Sequence, residues 1–338
     1  MELLNLSLKS MEKAVKDSGY KAFRARQIFR WIYISKVFSF SEMTDIGKID
    51  REKLAQIFSI TPIAEPEIFT SMDETEKLTF TLFDGAVVEA VIIPDGKRTT
   101  LCVSTQAGCP LKCEFCRTGT LGFRRNLEVS EITGQVIRAV MHLEKSGKRV
   151  TNIVYMGMGE PLLNFENTVD SINILKDDLG LNFSNRKITV STAGIADKIV
   201  PLGELTGINL AVSLHAVNDE KRSKIMSINN KYPLAKLLQA SKDYPAHHRK
   251  RVVFEYIMLK GFNDTMKDAK GLVKIAGEVN AKINLIPFHT FDGATFESTS
   301  MEDILKFQKY LTDRNVTALI RKSRGEDKLA ACGQLGKI

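Results

Sequence analysis

The chain has 338 residues, of which 43% are hydrophobic and 26% charged, a composition that excludes a disordered or fibrous protein and is typical of a globular one. The N-terminus lacks a basic start and a continuous apolar segment, and no apolar run approaches the length of a membrane span. We therefore expect a cytoplasmic protein with no membrane partner. The net charge of +8 favours a polyanionic partner, with RNA as the leading candidate, over a small acidic metabolite.

Residues 1–75 are predicted to form a small helical domain that binds RNA. Apolar residues recur there at helical spacing, at Ala22, Ile28, Phe29, Trp31 and Ile32. The basic residues expected on its outer face, where they would contact phosphates, are Lys21, Arg24, Arg26 and Arg30. Further basic groups follow at Arg124 and Arg125, at His247 to Arg251, and at Arg321, Lys322 and Arg324. We expect about half of these basic residues to be ordinary solvated surface residues, because a run of charges alone is weak evidence for RNA binding.

Residues 76–97 are predicted to form a β-hairpin extension. The alternating segment 78–83 is followed by Asp84-Gly85, a common hairpin turn, and then by the apolar return strand 87–93. Glu89 interrupts that return strand. A carboxylate there lies either on the solvent face of the strand or in a functional site.

From residue 98 to about 325 the pattern alternates between strand and helix. Candidate strands cover 100–104, 152–156, 187–191, 209–214, 252–258, 282–287 and 317–321, with clear helices at 130–145, 169–178, 266–279 and 301–313. Alternating β and α units predict a parallel sheet, and six or seven of them predict an α/β fold with a barrel or partial barrel. Function should then lie at the carboxyl ends of the strands. Residues 326–338 form a C-terminal tail.

A cysteine triplet follows the first of these strands. Cys109, Cys113 and Cys116 have a Cys-x-x-x-Cys-x-x-Cys spacing that favours three thiolate ligands on one 4Fe-4S cluster. Such a cluster usually takes four thiolates, so one iron stays open to S-adenosylmethionine (SAM), which the cluster can split by donating an electron. The alternatives are a structural zinc site that also uses Cys102, or buried cysteines that bind nothing. A cytoplasmic, reducing compartment suits such a cluster.

Polar residues stand at the ends of several later strands. Gly157-Met158-Gly159-Glu160-Pro161 follows the second strand, where glycines allow a ligand to approach the backbone and Glu160 could hold the ammonium group of SAM. The other strand-end candidates are Ser191, Ser213-Leu214-His215 and His289. Each of these residues, taken alone, is more typical of a turn cap or a packed polar side chain than of a ligand contact. Together they place hydrogen-bonding groups at one end of the sheet, where the ribose, adenine and carboxylate of SAM would need them.

Two further cysteines lie outside the triplet. Cys102 lies on the first barrel strand, where an inert core cysteine is the ordinary interpretation. Cys332 lies in a polar, glycine-containing tail with Lys328 close in sequence, a setting that favours exposure and thiolate character. A thiolate on a mobile tail could enter an active site and leave it.

These residues together resemble the RlmN/Cfr family of radical SAM RNA methyltransferases. The similarity runs nearly end to end. It is carried by Ala22 to Ile28 with Trp31 to Tyr33, Val88-Glu89, Cys102 with the cysteine loop, Gly122 to Leu127, Gly157 to Pro161, Ser213 to His215, and Ala331 to Leu335. The triplet alone marks only the radical SAM superfamily, whereas its combination with Cys102 and the Cys-Gly-Gln-Leu tail is specific to this family.

The resemblance implies methylation of adenosine in 23S rRNA and in the tRNA anticodon loop. Because carbon 2 of adenine is electron-poor, it cannot attack the methyl group of SAM as a nucleophile. In the family, one SAM instead methylates the cysteine that matches Cys332. A second SAM yields a deoxyadenosyl radical that removes a hydrogen atom from that methyl group. The carbon radical adds to the base, and the Cys102 thiolate releases the product by attacking the Cys332 sulfur, which leaves a transient disulfide. In this scheme Glu89 matches the proton acceptor.

The resemblance also implies the binding residues and partners. Cys109, Cys113 and Cys116 match the cluster ligands, and the SAM-binding positions match Gly159, Glu160, Ser191, Ser213, Leu214, His215 and His289. The implied partners are 23S rRNA, tRNA and an electron donor such as flavodoxin or ferredoxin, and we expect a monomer. Two residues depart from the family pattern: His289 stands where Asn is usual, and Arg117 replaces a small residue. Alternatives are methylation at adenine carbon 8, as in Cfr, and a non-catalytic RNA-binding protein with zinc on Cys102 and the triplet.

Overall fold

A computed structural model describes residues 1–245 and 251–336 of the chain. Of the predicted basic group His247 to Arg251, all but Arg251 lie outside the described residues. None of the helices within the described ranges is long and apolar enough to span a membrane.

The N-terminal region is helical up to Ile57, as its apolar spacing predicts, but Glu67–Thr70 of the predicted helical domain forms a strand that pairs with the hairpin. Its helices are α1 (Leu8–Asp17), α2 (Ala22–Tyr33) and α3 (Lys48–Ile57). Residues spaced three or four apart in α2, Ala25, Ile28, Phe29 and Ile32, are fully buried, because a helix with this spacing presents them on one face. Two of the predicted phosphate-binding residues are paired within the protein: Arg24 with Asp50 at 2.8 Å, and Arg26 with Glu12 at 2.7 Å.

The remaining helices follow the strands of the predicted barrel. They are α4 (Arg117–Thr120), α5 (Val129–Glu144), α6 (Phe165–Lys176), α7 (Ala196–Thr206), α8 (Asp219–Ile225), α9 (Leu234–Lys242), α10 (Met266–Val279) and α11 (Met301–Thr312). Helix α10 shows why these boundaries arise: Thr265 and Asp268 form a capping box at its start, and Asn280 ends it with a left-handed φ of 54°. The N-terminal core extends onto this region, since Val129, Ile137 and Ile174 belong to the same buried cluster as Phe29.

Twelve strands occur in the described chain. They are β1 (Glu67–Thr70), β2 (Glu76–Thr81), β3 (Val87–Asp95), β4 (Arg98–Cys102), β5 (Gln106–Gly108), β6 (Phe123–Asn126), β7 (Asn152–Tyr155), β8 (Ile188–Thr192), β9 (Asn209–Ser213), β10 (Val253–Met258), β11 (Lys282–Pro287) and β12 (Ala318–Ile320). Strands β5 and β6 form a separate small sheet, and the other ten form one sheet in the order β1-β2-β3-β4-β7-β8-β9-β10-β11-β12.

Seven strands of the large sheet, β4 and β7 to β12, run parallel, as the alternating pattern predicts. The sheet has free edges at β1 and β12, so it forms a partial barrel. The predicted hairpin is present as β2 and β3, with Gly85 at a φ of 74° in the turn. The hairpin is continuous with the barrel sheet, because β3 pairs antiparallel with β4. This arrangement brings Glu89 next to the barrel mouth.

Candidate active site

One cavity lies at the carboxyl ends of the parallel strands, where the fold predicts the site. The parallel strands β4 and β7 to β11 each contribute to its wall: the lining includes Cys102, Tyr155, Ser191, Ser213, Glu255 and Ile286. The C-terminal tail closes one side with Ala330, Ala331, Cys332, Gly333 and Leu335. Of the predicted site residues, those that line this cavity are Cys102, Cys109, Cys113, Cys116, Gly159, Glu160, Ser191, Ser213, His215 and Cys332.

The three cysteines of the triplet lie on one loop that faces the cavity. The loop is held by α8 and the turn that follows it, since the Glu114 amide donates to Ile225 O at 3.1 Å and Ser227 Oγ donates to Leu111 O at 3.0 Å. Burial raises the pKa of the Cys113 thiol well above its usual value, and the neighbouring Cys116 and Cys109 raise it further. All three thiols are therefore close together and free of disulfides.

The donor set suits a cluster better than a single metal ion. Among residues 1–245 and 251–336, no group of three or more His, Cys, Asp or Glu side chains is arranged to hold one metal ion. A zinc ion would need four thiolates about 2.3 Å away around a single point, and Cys102 lies on β4, outside the loop that carries the triplet. A cluster distributes its ligands over several irons, and three thiols on one cavity wall fit that requirement.

The loop after β7 is joined to the segment after β4. The Gly157 amide donates to Val103 O at 3.0 Å, and the Glu160 amide donates to Gln106 Oε1 at 2.8 Å. A Cβ on Gly157 would lie 2.8 Å from the carbonyl of Val103, and one on Gly159, whose φ is 99°, would lie 2.5 Å from Gln106 Cβ. The two glycines thus allow close approach of protein segments as well as of a ligand.

Glu160 is the buried carboxylate of the cavity. Its Oε1 accepts hydrogen bonds from the Leu162 amide at 2.9 Å and from Thr192 Oγ1 at 2.8 Å, and Oε2 accepts from the Ala193 amide at 2.6 Å. Burial raises its pKa to about 7, although these three hydrogen bonds act in the opposite direction. A cationic ligand in the cavity would restore the ionised form, which fits the predicted contact with an ammonium group.

Ser191 and Ser213 end neighbouring strands and share a partner that the sequence analysis missed. Glu255, on β10, accepts a hydrogen bond from Ser191 Oγ at 2.8 Å and is paired in register with Ser213. Glu255 is only 7% exposed and lines the cavity. In the sequence it interrupts an otherwise apolar strand near its middle, and a lone carboxylate in such a run is the signal that could have found it.

His215 is a neutral imidazole in this structure. Its Nδ1 accepts a hydrogen bond from the Ile257 amide at 3.1 Å, and burial lowers its pKa to about 3, with a further contribution from Arg222. Phe115 of the cysteine loop packs edge-on against it, with ring centroids 4.6 Å apart. Leu214 does not line the cavity: it is fully buried, and its amide donates to Glu255 O at 3.0 Å.

Arg222 is a second functional candidate that the sequence did not reveal. It is fully buried and donates hydrogen bonds to Ala193 O at 2.6 Å, Ser213 O at 2.9 Å and Leu214 O at 3.1 Å. It therefore fixes the ends of two strands that line the cavity. No signal distinguished it, because its segment of alternating charges is typical of an exposed helix.

Cys332 lines the cavity, and the residue as a whole is exposed, as predicted, whereas its thiol is surrounded by protein. The prediction of thiolate character from Lys328 is wrong, because enclosure of the thiol by protein raises its pKa. The cation that acts on it is Arg321, which hydrogen-bonds the thiol and lowers its pKa. Cys102 also faces the cavity, where burial raises its pKa to about 12 and Cys332 raises it further. The two cysteines thus face one space.

The tail has defined contacts with the cysteine loop. The Arg117 amide donates to Gly333 O at 2.8 Å, and Thr118 Oγ1 donates to Leu335 O at 2.8 Å. Arg117, one of the departures from the family pattern, is thus a backbone contact of the tail. These bonds hold Cys332 beside the triplet.

Glu89 and His289 lie beside the cavity rather than on its lining. The Glu89 side chain has no solvent exposure, and its Oε2 accepts a hydrogen bond from the Gly336 amide at 2.7 Å. His289 Nε2 lies 3.1 Å from Ser323 Oγ, and its Nδ1 lies 3.5 Å from Glu326 Oε1. His289 therefore contacts the base of the tail.

Comparisons with known proteins agree with this geometry. The family model of the ribosomal RNA large subunit methyltransferase N-terminal domain matches residues 1–60, and that of the radical SAM superfamily matches residues 103–273. A protein of Geotalea uraniireducens named dual-specificity RNA methyltransferase RlmN is 44% identical over 99% of this chain and 96% of its own. A protein of that name from Desulfotalea psychrophila is 46% identical over 99% of this chain and 94% of its own.

A solved structure agrees as well. The crystal structure of a radical SAM methyltransferase from Sphaerobacter thermophilus is 39% identical, with a TM-score of 0.92 over 99% of this chain and 98% of that one. This match confirms the predicted partial radical SAM barrel. On these similarities over nearly its whole length, the chain belongs to the RlmN family of the radical SAM superfamily.

Proposed function

We propose that this protein methylates carbon 2 of an adenosine in 23S rRNA and of an adenosine in the tRNA anticodon loop. The observation that carries the proposal is that Cys102, Cys332 and the cysteine triplet all line one cavity at the barrel mouth. An enzyme that only transferred a methyl group from SAM to a nucleophile would need neither of the two extra cysteines. Family membership supports an RNA substrate and SAM chemistry.

Cys109, Cys113 and Cys116 would hold a 4Fe-4S cluster, and Glu160, Ser191, Ser213 and His215 would contact SAM. When bound, the cluster and SAM supply one electron, a methyl group and a hydrogen-abstracting radical. Glu160 orients the ammonium group of SAM, and Arg222 keeps the backbone around Ser213 in place. Gly159 and Leu214 would contribute to SAM binding through their backbone atoms. His289 would contribute to it indirectly, through the tail that it contacts.

Cys332 accepts the methyl group on its sulfur, and the methyl carbon, after loss of one hydrogen atom, bonds to adenine carbon 2. Cys102 then attacks the Cys332 sulfur. A disulfide bond forms and the sulfur–carbon bond breaks, with its electron pair leaving on the carbon, which takes up a proton to complete the new methyl group. Before Cys102 attacks, the radical adduct loses the proton on carbon 2 to Glu89 and gives up its unpaired electron, which the oxidised cluster would take back. An external dithiol must reduce the disulfide before the next turnover.

The N-terminal domain, residues 1–75, would bind RNA beside the barrel mouth, and the hairpin, residues 76–97, would carry Glu89. The barrel, residues 98–325, would hold the cofactors, and the tail, residues 326–338, would present Cys332. An electron donor such as flavodoxin or ferredoxin, a monomeric state and a cytoplasmic location belong to the same proposal.

Nucleoside mass spectrometry tests this function. The gene is expressed in a bacterial host that lacks its own enzyme of this type, and rRNA and tRNA are digested separately. We expect 2-methyladenosine in both. Exclusive appearance of 8-methyladenosine in rRNA would support the carbon 8 alternative instead. Zinc without iron in an anaerobic preparation, together with unchanged RNA, would support the non-catalytic alternative.

A further inference from the structure

The hairpin places a lysine on the same sheet face as Glu89. In the antiparallel pair of β2 and β3, Lys77 lies opposite Val91, and Thr79 lies opposite Glu89. Alternate residues of a strand share one face, and directly opposed residues share that face across strands. Val91 and Ile93 line the cavity, so Glu89 and Lys77 both project from the cavity face of the hairpin.

Lys77 and Glu89 form an ion pair in the interior. The Nζ atom of Lys77 lies 3.2 Å from Oε1 of Glu89, and the two side chains are 12% and 0% exposed. The centroid of the Phe69 ring lies 5.8 Å from the same Nζ, a cation–π contact that helps to hold the lysine side chain in this position. A carboxylate in such a place is stable as an ion only when an opposite charge accompanies it.

The two oxygens of Glu89 differ in their surroundings. Oε2 is occupied by the Gly336 amide at 2.7 Å, whereas Oε1 has only the charge contact with Lys77 and receives no hydrogen bond. The hydroxyl of Thr79, directly opposite, is also buried without a hydrogen-bond partner. Oε1 is therefore the oxygen with a free lone pair for an incoming proton.

We propose that Lys77 is a positioning residue for the proton transfer: its ammonium group holds Glu89 as a buried carboxylate with Oε1 free to accept the proton from adenine carbon 2. This inference rests on the proposed function. Without the ammonium group, Glu89 would lose the charge contact that holds Oε1 in place opposite the oxygen bound by the Gly336 amide. Methylation of Cys332 does not use Glu89, so only the later step should suffer.

The test compares purified anaerobic holoenzymes on an rRNA fragment, with Lys77→Met, Lys77→Arg and the surface control Lys309→Met, whose side chain is 75% exposed on α11. For Lys77→Met we expect normal methylation of Cys332 by intact mass. We also expect about a hundredfold less 2-methyladenosine and an accumulated protein–RNA adduct on denaturing gels, since a general base contributes about 10²–10⁴ in rate. Lys77→Arg should restore most of the product, and Lys309→Met should match the wild type.

A double variant separates positioning from folding. The double variant Lys77→Met/Glu89→Gln removes both charges, so no unpaired ion stays in the interior. We expect this double variant to make as much product as Glu89→Gln alone. Unchanged product formation by Lys77→Met would overturn the inference. Additive losses in the double variant, or loss of Cys332 methylation in Lys77→Met, would do the same. A wild-type reaction without 2-methyladenosine would instead overturn the proposed function, and the inference with it.

Discussion

The amide of Gly336 donates a 2.7 Å hydrogen bond to Oε2 of Glu89, so the C-terminal tail meets the N-terminal hairpin at a buried carboxylate. Between them the tail also contacts the cysteine loop, through Gly333 O and Leu335 O. Three parts of the chain that are distant in sequence thus converge beside one cavity.

Cys102→Ala should stop the reaction after RNA has become attached to the protein. Without the attacking thiolate, the bond between the Cys332 sulfur and the transferred carbon has no route to break. We expect a covalent protein–RNA adduct in stoichiometric amount on denaturing gels, and no second turnover. Cys332→Ala is the control, since it cannot form the adduct at all. Normal turnover by Cys102→Ala would show that another group releases the product.

SAM binding should strengthen as pH rises from 6 toward 7.5. Burial raises the pKa of Glu160 to about 7, so below that pH the carboxyl is neutral and attracts the ammonium group less. The ionised fraction falls about tenfold for each pH unit well below the pKa. Anaerobic equilibrium dialysis measures the affinity, and Glu160→Gln should bind weakly with no such pH dependence. An affinity that falls with rising pH in this window would contradict the assignment.

Gly157→Ala should destabilise the protein, because the new Cβ would lie 2.6 Å from Ser104 Oγ and 2.8 Å from the backbone of Val103. Overpacking of this kind costs about 1–3 kcal/mol. The matched control is Gly277→Ala in α10, where a Cβ meets no atom within 4 Å and should stabilise the helix by about 0.5–1 kcal/mol. Denaturant unfolding of both variants measures the difference. Equal stabilities would mean that the loop after β7 adjusts freely.

Arg222→Met should cost about 3 kcal/mol or more of unfolding free energy. It removes the guanidinium hydrogen bonds to the carbonyls of Ala193, Ser213 and Leu214, at about 1 kcal/mol or more each, although Leu214 O keeps the Ala216 amide as a donor at 2.8 Å. Lys224→Met on the same helix is the control, because its partner Glu220 is an exposed surface residue. SAM affinity should fall with Arg222→Met alone. A variant as stable as Lys224→Met would show that the carbonyls find other donors.

The strands of the barrel could be predicted from the sequence because their signal, a continuous apolar run, lies within each strand itself. The seven candidate strands correspond to β4 and β7 to β12 with end differences of one or two residues, because their continuous apolar runs are set by burial on both sheet faces. Helices α7 and α8 escaped notice, since Pro201 lies inside α7 and α8 is short and highly charged. Their formation depends on packing against the sheet.

By itself, the sequence determined the family: the spacing of Cys109, Cys113 and Cys116, together with Cys102 and Cys332, carries the resemblance. Tertiary structure alone decided which side chains act together. Glu255 reaches Ser191, Arg222 holds the strand ends, Arg321 replaces Lys328 as the cation beside Cys332, and Lys77 pairs with Glu89. The physical reason is that the three cysteines are close in sequence, on one loop, so their spacing can be read directly. Charge pairing in the interior joins distant segments and depends on strand register and burial.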